Sequence, residues 1–195
     1  MNRSVPPRNL SGVPRQVHLF ERPSRFIAGT VGQPGDRTFY LQAADSSGRV
    51  VSVALEKAQV QVLADRMNEL LDEVATRPNT VVPPDAEVDD LEPLTAPVDE
   101  EFRVAAMGLA WDGESQAVVV EAVAAGDEPV EEDVILSDSD EGPDALRVTI
   151  TPAAARAFVV RARRVVAAGR PACPLCSLPL DPAGHVCPRQ NGYRR

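Results

Sequence analysis

The sequence predicts an α+β protein: two strand-strand-strand-helix halves forming one antiparallel sheet with helices on one face, then a short Cys- and Pro-rich tail. Three observations carry that prediction. Apolar runs bounded by turn residues come in threes. Each triplet is followed by apolar residues at helical spacing. Hydrophobic residues make up 44% of the chain but aromatics only 4%, so the core has to be layered from Val, Leu, Ile and Ala.

Residues 1–16 hold three prolines and three arginines with little apolar pattern, and are expected to be a flexible N-terminal arm. The α+β domain is expected over 17–169, with halves at 17–76 and 102–169. In the first half "RFIAGTV" reads as a strand. Pro34-Gly35 makes a turn, because Pro presets φ and Gly accepts positive φ. "TFYLQAA" returns, "DSSG" turns, and "RVVSVALE" completes a meander. Val60, Leu63, Met67, Leu70, Leu71 and Val74 then recur at spacings of three and four, the stripe of an amphipathic helix that Pro78 ends.

Residues 77–101 are an acidic connector with five prolines and eight carboxylates. The pattern then repeats: "EFRVAAMGLAW", an Asp-Gly hairpin turn, "QAVVVEAVAA", an acidic loop and "ALRVTI". The closing helix has Thr151 as N-cap, Pro152 at its first position and Gly169 as its stop. Neither half carries enough apolar residues for its own core, so the halves are expected to pack together.

Composition excludes several classes. Three cysteines, all between Cys173 and Cys187, do not make a secreted disulfide framework. No apolar run approaches the roughly 18 residues that a membrane helix needs, and the N-terminus lacks the apolar region of a secretory signal. A cytoplasmic protein is expected. Charge is unevenly placed: residues 39–146 carry a net −21 and residues 147–195 a net +8. An acidic body argues against a general nucleic-acid binder, while the basic end suits a local anionic contact.

The tail, residues 170–195, carries the most specific chemistry. Cys173 and Cys176 are spaced C-x2-C, and His185 and Cys187 are spaced H-x-C. Three thiolates and one imidazole in two short pairs suit a tetrahedral Zn2+ ion with no open coordination position, which points to a structural role. The competing reading is a redox thiol, since "CPLC" looks like a C-P-x-C motif. Such a thiol usually sits at a helix N-terminus after a strand. Here a helix precedes the motif and "SLPLDPAGH" cannot form one, so a zinc knuckle is favoured.

Arg156, Arg163 and Arg170 recur every seven residues on one side of the last helix, Arg164 flanks them, and Arg189, Arg194 and Arg195 follow the cysteines. These arginines read either as an anion- or partner-binding face or as a solvated face that pairs internally with the acidic connector. The second reading is favoured, because no aromatics interleave to stack bases. Arg37, beside Asp36 in "GQPGDR", is a further candidate for anion contact, although the segment fits no phosphate-loop pattern and a plain hairpin turn is expected. The acidic loop after "QAVVVEAVAA" lacks the ligand spacing of an EF-hand. His18 reads as structural, and Ser52 and Ser115 have no triad partners nearby. No catalytic residue is identified.

The strings "GTVGQPGDRTFYLQA", "VVSVALEKAQV", "EEFRVAAMGLAWDG" and "CPLCSLPLDPAGHVCPRQNGYRR" resemble the DUF3090 family of actinobacterial proteins of unknown function, over nearly the full length. The resemblance implies an actinobacterial cytoplasmic protein and no established activity. One departure is Ser177, where Gly is expected after the second cysteine of the pair. The leading expectation is a non-enzymatic, zinc-stabilised protein that binds or regulates a protein partner, or takes an acidic or phosphorylated ligand, through its basic end. The alternatives are an enzyme acting on a phosphorylated substrate and a nucleic-acid-binding accessory protein. No membrane association is expected.

Overall fold

The computed structural model describes residues 15–33, 35–84, 90–126, 129–139, 141–169, 173–176, 180 and 187–189. The strands are β1 (Val17–Glu21), β2 (Arg25–Gln33), β3 (Asp36–Ala44), β4 (Val50–Leu55), β5 (Glu100–Asp112), β6 (Ala117–Ala124) and β7 (Ala145–Ile150). The helices are α1 (Lys57–Val74) and α2 (Pro152–Ala167), and a single 3-10 turn spans Glu132–Val134. The strands pair in the order β1-β7-β6-β5-β4-β3-β2.

The six strands and two helices expected from the sequence form where the patterns place them. The α2 cap is the expected one: the Thr151 hydroxyl accepts the Ala154 N–H at 3.2 Å and Pro152 opens the helix. At α1, the Gln59 side chain accepts the Glu56 N–H at 2.8 Å, satisfying a donor that the first turn leaves unpaired. Gly35 takes φ +103 in the β2–β3 turn as expected, while Pro34 lies outside the described residues.

The expectation of a purely antiparallel sheet is corrected. The sheet is mixed, with β1 parallel to β7 and β4 parallel to β5. The physical reason lies in the connections. Parallel neighbours need a long crossover, and α1 plus the acidic connector supply one between β4 and β5. The sequence reading also gave "VHLFE" no strand of its own, yet it forms β1 and pairs across from Val17↔Ala145 to Glu21↔Thr149.

The sheet is curled. Four chain steps from Glu21 to Arg25 span at most about 14 Å, whereas six interstrand spacings in a flat sheet would put β1 and β2 about 29 Å apart. Arg49, in the β3–β4 turn, crosses the gap. It donates to the Leu19 carbonyl of β1 and lies 4.0 Å from the centre of the Phe20 ring.

One buried cluster draws on both halves and both helices. Register explains its layers. Phe39, Leu41 and Ala43 of β3 face Leu55, Val53 and Val51 of β4, and Val118, Val120 and Ala122 of β6 face Ile150, Val148 and Leu146 of β7. α1 adds Val60, Leu63, Met67 and Leu71, and α2 adds Phe158, which stacks on Phe26 with centroids 4.9 Å apart.

The opposite face carries polar groups that are matched inside the protein. Gln42 donates to the Ser52 hydroxyl and the Thr95 carbonyl, and accepts the Thr95 N–H. Two glycines let loops settle onto this face. A methyl group on Gly29 would sit 2.6 Å from Leu94, and one on Gly108 would crowd Ile135 and Leu136. The side chain of Glu121 is wholly buried here. It accepts from Arg15, Arg147 and the Leu136 N–H.

Candidate metal centre

After α2, the described part of the tail brings the three cysteines together. The Sγ atoms of Cys173, Cys176 and Cys187 lie within 4.8 Å of one another. Cys173 and Cys187 are buried and their sulfurs are 3.8 Å apart, far beyond the roughly 2.05 Å of a disulfide. None of the three is joined in a disulfide. The C-x2-C spacing produces this convergence because the turn at 174–176 folds Cys176 back over Cys173.

The turn also changes the acidity of the first thiol. Main-chain N–H groups of Cys176 and then Leu175 point at the Cys173 sulfur, opposing the effect of burial, and the neighbouring thiols add to them. The Cys173 thiol is lowered to about 6, so it is largely thiolate at neutral pH. A convergent, thiolate-forming sulfur set is chemically competent to hold a metal ion. The fourth expected ligand, His185, lies outside the described residues.

The candidate contact arginines divide. Arg156 is buried between the helices, donating to Asn68 at 2.7 Å, to Asp72 at 2.5 Å and to the Pro83 carbonyl at 3.2 Å. Arg163 pairs with Asp65 at 2.9 Å on the surface. Both therefore tie α2 chiefly to α1. Arg37 donates to the Val165 carbonyl at 3.4 Å and lies over the Phe39 ring, joining the β2–β3 hairpin to the end of α2. Arg164 and Arg189 are exposed, whereas Arg170, Arg194 and Arg195 lie outside the described residues.

Sequence reasoning missed Arg161, one helical turn before Arg164. It is buried and donates to the Ala28 carbonyl, to Asp90 and to the Glu92 carbonyl. With Arg25, which holds the Asp90 carboxylate at 2.5 and 2.8 Å, it fastens the middle of the connector to β2 and α2. The only signal was the connector's density of acids. His18 is buried, and its Nε2, 3.5 Å from Glu101, has no hydrogen-bond partner among the described residues. Ser52 and Ser115 bond to Gln42 and Asp112, neither of which is a catalytic partner.

Fold and site together define a mixed α+β protein whose C-terminal cysteine cluster can hold a metal ion. Among the described residues no helix is long and apolar enough to cross a membrane. The family model DUF3090, described as a protein of unknown function, matches residues 18–187, and the chain belongs to that family. No curated protein and no solved structure matches it.

Proposed function

We propose that the chain is a cytoplasmic zinc-binding protein without catalytic activity, whose metal site orders a basic end that binds a protein partner or a phosphorylated ligand. The convergence of the cysteine sulfurs carries this reading. Zinc–thiolate bonds of about 2.3 Å at tetrahedral angles put two sulfurs about 3.8 Å apart, and Cys173 and Cys187 stand at 3.8 Å. His185, two residues before Cys187, would complete the set. When bound, zinc would offset the charge of the converging thiolates and supply the order that a tail so poor in apolar residues cannot draw from a core.

The nucleic-acid alternative loses weight, because Arg156 and Arg163 are engaged with α1 and leave fewer cations for phosphates. The test is the metal content of protein purified from zinc-supplemented cells, beside a Cys173→Ser/Cys176→Ser variant. One equivalent of zinc in the parent and little in the variant is expected. Less than about a tenth of an equivalent in the parent would overturn the reading.

A further inference from the structure

All three cysteines of the chain stand in the one tail cluster, but solvent does not reach them equally. Cys173 is 5% exposed and Cys187 3%, whereas Cys176 is half-buried. Pro174 and Leu175, which precede Cys176 in the turn, are exposed. Cys176 is therefore the sulfur on the solvent side of the set. Both buried sulfurs lie within 4.8 Å of it, and they are 3.8 Å from each other.

A zinc clasp and a redox thiol need not exclude each other in this arrangement. A cysteine that responds to an oxidant needs access to solvent and a second sulfur near enough to resolve it. Cys176 has the first, and Cys173 and Cys187 supply the second. Even the closest contact has to shorten by about 1.8 Å, from 3.8 Å to the roughly 2.05 Å of a disulfide. Rotation about side-chain torsions supplies movement of that size. Metal and disulfide are then alternatives. A zinc ion held by three sulfurs and one imidazole needs every sulfur, and a disulfide removes two of them.

We infer that the cluster is a peroxide-responsive switch, in which Cys176 is oxidised first, a buried neighbour closes a disulfide within the chain, and the bound metal leaves. The loss of metal rests on the proposed zinc site; the disulfide does not. The oxidant is a hydroperoxide. The Cys176 sulfur attacks one peroxide oxygen, so that an S–O bond forms and the O–O bond breaks. With hydrogen peroxide, the departing oxygen leaves as water, carrying the thiol proton, and Cys176 becomes a sulfenic acid. The sulfur of Cys173 or Cys187 then attacks the Cys176 sulfur. An S–S bond forms, the S–O bond breaks, and the hydroxyl leaves as water with the second thiol proton. Two thiols lose two electrons in all, and one peroxide is reduced to two molecules of water.

The test titrates the full chain with hydrogen peroxide in two reduced forms, zinc-loaded and metal-free. Thiols are counted in denaturant, the intact mass is read, and released zinc is followed with a chromogenic chelator. In both forms two of the three thiols should disappear, the monomer should become two hydrogens lighter, and dithiothreitol should reverse the change. In the zinc-loaded form one ion should leave for each disulfide formed. Cys176→Ser, tested metal-free, should lose its thiols at least about tenfold more slowly, because peroxide then meets only buried sulfurs. Oxygen added to Cys176 with the other two thiols intact, disulfide-linked dimers in place of the lighter monomer, a Cys176→Ser variant as fast as the parent, or zinc retained once the disulfide has formed would overturn the inference. A reduced chain that takes up no zinc would overturn the zinc site, and the thiol count of the metal-free form would still decide for or against the disulfide.

Discussion

Arg15 and Glu121 stand 106 residues apart in sequence and meet at 2.8 Å, with neither side chain reached by solvent. The carboxylate also takes the Arg147 side chain at 2.5 Å and the Leu136 N–H at 3.1 Å. Glu121→Ala would strip Arg15 of its counterion and the loop of its acceptor. The expected loss is about 3–5 kcal/mol in urea unfolding, the range for a broken buried pair. A loss below about 1 kcal/mol would mean that water reaches Arg15 and replaces the carboxylate.

Gly108 tests the approach of the 134–137 loop to β5. A methyl group there would lie 2.9 Å from Leu136 Cγ and closer still to Ile135 Cγ2. Gly108→Ala should cost about 1–3 kcal/mol through overpacking. Ile135→Ala in the same chain should recover part of that cost, so a double-mutant cycle in urea separates crowding from any backbone effect.

The connector strap should loosen in acid. The Arg25 side chain bonded to Asp90 holds its carboxyl below the usual carboxylate range, and the charges of Arg25 and Arg161 assist. A depressed carboxylate contributes stability above its unfolded value, about 3.9, and that contribution is lost as pH falls through its lower folded value. Proteolysis within Asp90–Thr95 by an acid-active protease should therefore rise below about pH 4. Asp90→Asn should show raised cleavage at neutral pH and a flatter acid response. An unchanged acid response in that variant would assign the effect to another carboxylate.

The tail makes a prediction for the metal-free chain. Thiolate absorbance should rise in a step centred at about 6, as Cys173 loses its proton. Cys173→Ser should abolish that step. Added zinc should shift thiolate formation to lower pH, since a thiolate ligand must shed its proton to bind. A first step near the ordinary thiol value of about 8.5 would show that the turn amides do not reach the sulfur.

Local pattern was legible and pairing was not. The alternation in "TFYLQAA" and the stripe from Val60 to Val74 follow from side-chain period alone, so strands and helices could be read. Nothing periodic in "VHLFE" says that it will lie beside Ala145–Thr149, because a strand's pattern is the same whatever its neighbour. Glu121 is one polar residue in an apolar run, and its partners lie 106 residues before it, at Arg15, and 15 and 26 residues after it, at Leu136 and Arg147. Arg161 could not be told from the other α2 arginines, since its burial comes from the connector folding over it. The convergence of Cys173 and Cys176 was legible because C-x2-C acts locally, closing its own turn at 174–176.

β1 cannot find its place early. Its partner β7 begins 128 residues later, at Ala145 opposite Val17. A chain emerging from the ribosome can assemble β2–β4 and α1 by short-range contacts, but Phe20 and Leu19 wait until most of the chain has been synthesised. Closing so long a span is slow. On this topology the edge strand would be a late latch, and the rim of β7 would stay open to mispairing until it shuts.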